Sequence, residues 1–438
     1  MLLLPAPGSA APTIQVKDGG FEETATGRPF FPIGFTYTRL GPWHVTMNPG
    51  VYDSAAAEAL FSHMAAGGFN VVRFWLGSED GMEGPGPYSE AMLGNILDFL
   101  KRARRHAVYA MPVLEHQPQM QRYRALLTAN PPSVSGENAL YLNPSYITAF
   151  RQFLIDLLTA LKTRDPASMD ALFAIDIQNE CHFELTGPFA WDSGPFLAPN
   201  GKTYHMEIDK RRLADEAAAF WVDALADAIH SVVPDLPVDM NVFTFAAVNR
   251  SGPDDFHADP AENRIPFDSR YLAASKASFL DIHFYAPNAD ALRKDFRSIG
   301  LDSLRTAAAR NGKPLFVGEF GTFKNAFPRL TDAAAWEVRL VDSLHAAGFK
   351  GFLGWTYDTF EQEDIWNAED GAGTIFSALS AYFSELATSI AIRDRSAGSA
   401  AFSIPARSAA ASMDILGRKS VQRMIRLFTI KPPKKTIR

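Results

Sequence analysis

The chain has 438 residues, 47% of them hydrophobic and 21% charged, with a formal net charge of −7 and a single cysteine. This composition provides ample apolar material for a large core. No run of about 18 apolar residues is available for a membrane-crossing helix, and one cysteine excludes an intrachain disulfide framework or a multi-cysteine metal site. Residues 391–438 carry eleven Lys or Arg against two acidic residues, a local +9 that leaves −16 on residues 1–390; so acidic a body is a poor partner for nucleic acid, which needs clustered cations on its phosphates.

In chain order, "MLLLPAPGSAAP" has small residues but no basic region and a very short apolar run. It carries no clear signal peptide. Residues 1–12 read as a leader, either disordered or a degenerate export signal; the latter would mean secretion or the periplasm. Residues 13–30 then read as a small hairpin, with Asp18-Gly19-Gly20 breaking a strand-like run and Thr26-Gly27 marking a second turn.

From there one unit recurs: a short apolar run, a polar loop and a segment of helical spacing. The expected strands are "FFPIGF" (30–35), "FNVVRFWL" (69–76), "VYAMPVL" (108–114), "LFAIDIQ" (172–178), "PVDMNVF" (237–243), "FLDIHFY" (279–285), "PLFVGEF" (314–320) and "GFLGWTY" (351–357). Helices are expected over 53–67, 146–162, 215–232, 303–312 and 333–348, each with apolar residues at three- and four-residue intervals. Near-continuous apolar strands suit a parallel sheet covered on both faces. Eight of them alternating with helices point to a (β/α)8 TIM barrel. An open doubly wound sheet is the competitor, weakened by the absence of a glycine-rich phosphate loop after the first strand. The expected organisation is a leader (1–12), a barrel with its N-terminal hairpin (13–388) and a basic low-complexity tail (389–438). The tail reads as disordered or as an amphipathic helix offering weak contact to an anionic surface.

Polar residues gather at the strand ends, which converge on one bowl in a barrel. Arg73 interrupts an apolar run, and its five N–H donors need partners if buried. Glu319 lies between apolar residues, where a charge is costly unless paired or functional. Asn179-Glu180 closes the fourth strand, 139 residues before Glu319. Two carboxylates facing across such a bowl suit glycoside hydrolysis, one attacking the anomeric carbon while the other protonates the leaving oxygen.

Together these motifs resemble glycoside hydrolase family 5, the cellulase-like members of the clan of retaining (β/α)8 glycosidases, over roughly residues 25 to 385. The resemblance implies Glu180 as general acid/base and Glu319 as nucleophile. It also implies substrate-binding or positioning roles for Arg73 in "NVVRFW", His116 in "PVLEHQ", Asn179, His283 and Tyr285 in "DIHFY", and Trp355 in "LGWTY". It implies no cofactor and no metal, and an oligosaccharide or polysaccharide as partner. The expected activity is retaining hydrolysis of β-linked glycans of the β-1,4-glucan or β-mannan type. The alternative is a catalytically silent glycan-binding barrel. Cys181-His182 departs from the family pattern, which often has Pro after the acid/base. A thiolate at 181 is disfavoured by its anionic neighbour.

Overall fold

Eight strand positions close into a parallel barrel in the computed structural model, which describes residues 13–38, 45–76, 86–114, 118, 120–127, 134, 136–244, 264–265, 267–360 and 362–398. Chain contacts divide into one unit over Met1–Thr388 and another over Ser389–Arg438. Of the second unit only residues 389–398 are described, and they are helical. No helix among the described residues is long and apolar enough to cross a membrane.

The barrel strands in order are Ile33–Tyr37, Val71–Trp75, Tyr109–Val113, Ile175–Asp176, a fifth in two pieces, Leu280–His283, Leu315–Phe320 and Phe352–Gly354. The fifth consists of Val238–Asp239 and Asn241–Phe243. Its first piece pairs with the fourth strand and its second with the sixth, so the sheet closes on itself across Met240. The unbroken strand expected over 237–243 therefore switches neighbours midway, and two carboxylate-bearing strands are brought together at the seam. The first barrel strand also begins later than expected. Phe30 belongs instead to a small antiparallel sheet of Ile14–Lys17, Gly20–Glu23 and Pro29–Phe30.

That small sheet turns at Asp18 and Gly19, both at positive φ (51° and 72°), as a two-residue hairpin demands. It seals the N-terminal end of the barrel. Phe21 is buried, with its ring centroid 5.3 Å from those of Phe173 and Phe279 and 6.0 Å from that of Phe316. Ile14, Val71, Tyr109 and Met111 join the same apolar cluster. Phe21→Ala is expected to cost about 3–5 kcal/mol, the usual penalty for emptying a buried aromatic site. Urea melts measure the loss, and activity of the folded fraction should stay unchanged because this end lies opposite the strand C-termini.

The helices form for local reasons and pack outside. Ser54–Ala66 starts where Asp53 accepts the amides of Ala55 and Ala56, and it buries Ala57, Leu60, Phe61 and Met64. Gly68 at φ 78° then turns the chain into the second strand. The helix Glu90–Arg105, absent from the sequence expectation, is capped by Ser89 and buries Met92, Leu93, Ile96, Phe99 and Leu100. With the outside covered by helices and the lower end by the hairpin, the strand C-termini are where polar groups can converge.

Candidate active site

Arg73 is the centre of the arrangement. Its side chain is 0% exposed, and burying a guanidinium is costly unless its donors are met. They are met from the fourth and seventh strands. Nε and Nη2 donate to Asp176 Oδ2 at 3.1 and 2.8 Å, Nη2 also donates to Asn179 Oδ1 at 2.8 Å, and Nη1 donates to Glu319 Oε1 at 2.6 Å. The guanidinium also lies over the Trp75 ring, 4.6 Å from its centroid. Burial alone would lower its proton affinity, but Asp176, Glu319 and Asp281 outweigh this and hold it charged.

Glu319 receives a second donor, the Tyr285 hydroxyl, on Oε2 at 2.8 Å. Burial raises its pKa; His283, Arg73 and the Tyr285 hydrogen bond pull it down, while the charge of Glu180 pushes it up. Glu180 stands opposite and is more open: its side chain is 28% exposed, against 6% for Glu319. His283 bridges them, with Nδ1 3.0 Å from Glu180 Oε1 and 3.3 Å from Glu319 Oε2. Burial pushes its imidazole down to about 3, so the ring is neutral at ordinary pH. Nε2 has no partner among the described residues. A neutral ring facing two carboxylates carries its proton on Nδ1 and donates it between them. The facing atoms of Glu180, His283 and Glu319 all lie within 4.8 Å of one another. The anions are already answered by Arg73, Tyr285 and His283.

The backbone of Glu180 is held as tightly as its side chain is open. Its φ is 46°, and its amide donates to Asn241 Oδ1 at 2.5 Å. Asn241 Nδ2 in turn donates to Asp176 Oδ2 at 2.7 Å. Cys181 follows, buried, 2.8 Å from the Tyr141 hydroxyl; burial pushes its thiol well up and keeps it protonated. Trp355 at the end of the eighth strand packs with Trp75, Val113 and Ile365, and Nε1 donates to Gln362 Oε1 at 2.7 Å. Trp75 is 1% exposed and stands edge-on to Trp355, a place in the wall and not at the surface. Arg73, Asn179, Glu180, His283, Tyr285, Glu319 and Trp355 thus share one end of the barrel. His116 lies outside the described residues.

A family model described as cellulase (glycosyl hydrolase family 5) matches residues 25–361. The chain belongs to glycoside hydrolase family 5. Among solved structures, this family 5 chain is similar to the exo-β-1,4-mannosidase Op5Man5 from Opitutaceae bacterium strain TAV5, with 20% identity and a TM-score of 0.54 over 86% of its own length. It spans 62% of the length of that enzyme. A family 5 mannosidase from Rhizomucor miehei aligns with 16% identity and TM-score 0.54, covering 87% of this chain and 100% of that one. An endo-1,4-β-mannanase from Eisenia fetida aligns with 17% identity and TM-score 0.51, covering 84% and 95%. At such identities the likeness establishes the barrel alone. No match was found among curated protein sequences.

Family 5 motifs mark strand ends, whereas this chain holds three more carboxylates within its strands. Asp176, Asp239 and Asp281 sit inside the fourth, fifth and sixth strands, all buried. A signal was available. Each Asp interrupts an apolar run just as Arg73 does, and a buried Arg calls for a buried acid. Asn241, which anchors the Glu180 backbone, had no such signal, because an Asn near a strand end is ordinary.

Proposed function

We propose that this family 5 protein is a retaining glycoside hydrolase that cleaves β-linked glycans of the β-1,4-glucan or β-mannan type, with Glu319 as nucleophile and Glu180 as general acid/base. The observation that carries this reading is the pair of carboxylates facing each other with oxygens within 4.8 Å, one held by an arginine and a tyrosine. Such spacing suits double displacement, for which carboxyl groups stand about 5–5.5 Å apart; inversion leaves roughly 6.5–9.5 Å for a water.

In the first step a Glu319 oxygen bonds to the anomeric carbon as the bond to the leaving oxygen breaks, and Glu180 passes its proton to that oxygen. In the second step Glu180 takes a proton from water. The hydroxyl oxygen bonds to the anomeric carbon, and Glu319 departs as the carboxylate. The exposures fit this division of labour: the residue that must meet leaving group and water is the open one, and the nucleophile is enclosed. Asn179 turns its carbonyl to Arg73, which leaves its amide N–H groups for a sugar hydroxyl. Trp355 supplies an apolar floor, and His116 and His283 complete the substrate contacts in this reading.

The printed names of the structural neighbours are those of mannosidases and mannanases, so β-mannosides are tested beside β-glucosides. A hydrolysis screen across aryl β-mannoside, β-glucoside, β-galactoside and their short β-1,4 oligomers, with the product anomer followed by NMR, is expected to give β product first. An α product would overturn double displacement. Affinity for an oligosaccharide with no turnover of any substrate would favour the silent glycan-binding barrel.

A further inference from the structure

Beneath Arg73 the barrel interior contains more acid than base. Asp176, Asp239 and Asp281 bring their facing oxygens within 4.8 Å of one another, and all three side chains are buried. They come from adjacent strands; Asp239 is directly opposite Asp176 in register. The groups around Asp239 are Asp176 from the fourth strand, Asp281 from the sixth and Arg73 from the second. Glu319 on the seventh strand bears on Asp281. Arg73 is the one cation in that set, and its donors go to Asp176, Asn179 and Glu319.

The three acids are not equivalent. Asp176 receives Arg73 and the Asn241 amide. Asp281 receives the Gly318 N–H on Oδ1 at 2.5 Å. Any Cβ at position 318 would collide with the Asp281 carboxylate, so the glycine is what allows that approach. Asp239 receives nothing: neither of its oxygens has a donor among the described residues, and Asp281 Oδ2 is also unanswered. Two carboxylates cannot hydrogen-bond unless one carries a proton, and a buried unpaired carboxylate neutralises instead of remaining charged.

We propose that Asp239 is held as a neutral carboxylic acid that donates its O–H to Asp281 Oδ2, and that this acid–carboxylate pair is a positioning device for the nucleophile. The role assigned to the pair rests on the glycosidase reading above; the protonation of Asp239 does not. With Asp239 neutral, Asp281 keeps one charge. That charge attracts Arg73 from below and braces the amide of Gly318, the residue before Glu319. The proton resides on Asp239 because the Gly318 N–H stabilises the anion of Asp281, while burial and the charges of Asp176 and Asp281 drive Asp239 towards its acid form.

The test uses the intact protein. Infrared spectra of wild type labelled with 13C-carboxyl aspartate should contain the carbonyl band of a protonated aspartic acid at neutral pH, and D239N should lack it. Because Asn supplies an uncharged donor of the same shape, D239N is expected to retain kcat/KM on the aryl β-glycoside within about threefold, with both limbs of the pH profile unmoved. D281N removes the anion instead. It should lower kcat about tenfold or more with little change in KM and move the acid limb to lower pH, since a negative charge near Glu319 has been lost. Absence of the band in wild type overturns the proposal even if D239N does not fold. So does a D239N pH profile shifted like that of D281N. A rise in Tm of wild type but not D239N on adding calcium would also overturn it, placing an ion where the proton is proposed. If no glycoside is turned over, the glycosidase reading and the positioning role fail, and the labelled spectrum still decides where the proton lies.

Discussion

Glu319→Gln is expected to reduce hydrolysis of an aryl β-glycoside by roughly 10⁴-fold or more, because an amide oxygen cannot form the glycosyl-enzyme bond. The variant should still fold. Gln can accept from Arg73 Nη1 on its amide oxygen and donate its amide N–H to Tyr285 Oη, in place of the two hydrogen bonds that hold Glu319 at 2.6 and 2.8 Å. Glu180→Ala should behave differently. With a good leaving group the first step needs no acid, so a covalent intermediate accumulates; the slow step becomes attack by water without its base. Azide fits the space left by the truncated side chain and needs no deprotonation, so it should restore part of the turnover and yield the β-glycosyl azide. Hydrolysis at the wild-type rate by both variants would remove the two carboxylates from the chemistry. An α-azide product would instead assign them to an inverting reaction.

Arg73→Leu is the second substitution of large expected effect, and it acts on stability and rate together. Removing the guanidinium strands Asp176 and Glu319 in a buried site. Breaking a buried ion pair from one side costs about 3–5 kcal/mol, enough to lower Tm by many degrees. The pH dependence carries the sign. Arg73 holds the pKa of Glu319 down against burial, so its loss should move the acid limb of kcat/KM upward by about one to three pH units. Arg73→Lys keeps the charge but cannot reach Asp176, Asn179 and Glu319 at once. It should recover much of the stability and little of kcat. If the Leu variant has an unmoved acid limb, Arg73 is a structural brace only.

Much of the barrel is visible in the amino-acid order, because burial on both faces imposes continuous apolar runs that helical segments then separate. The expected strands at 69–76, 108–114 and 314–320 enclose the observed Val71–Trp75, Tyr109–Val113 and Leu315–Phe320. Errors arise where hydrogen-bond partners decide and hydrophobicity does not. "FFPIGF" reads as one strand, yet Pro29–Phe30 pairs with the hairpin and Ile33–Tyr37 with the barrel. "PVDMNVF" also reads as one strand, yet it divides at Met240 because its halves face different neighbours. No local pattern encodes the choice of partner.

The site divides along the same line. Composition, spacing and strand-end motifs were sufficient to place Arg73, Asn179, Glu180, His283, Tyr285, Glu319 and Trp355 at one end of a barrel, since strand direction alone takes them there. They could not specify how these groups are answered: that Arg73 spans Asp176, Asn179 and Glu319, that neutral His283 stands between the two glutamates, or that Asn241 clamps the amide of Glu180. Nor could they reveal that Asp239 and Asp281, 42 residues apart in the chain, meet beneath the guanidinium. Position along a strand is a one-dimensional property that hydrophobic periodicity records. Protonation and charge pairing depend on distances of a few ångströms between segments far apart in the chain, and only closure of the barrel brings those distances into being.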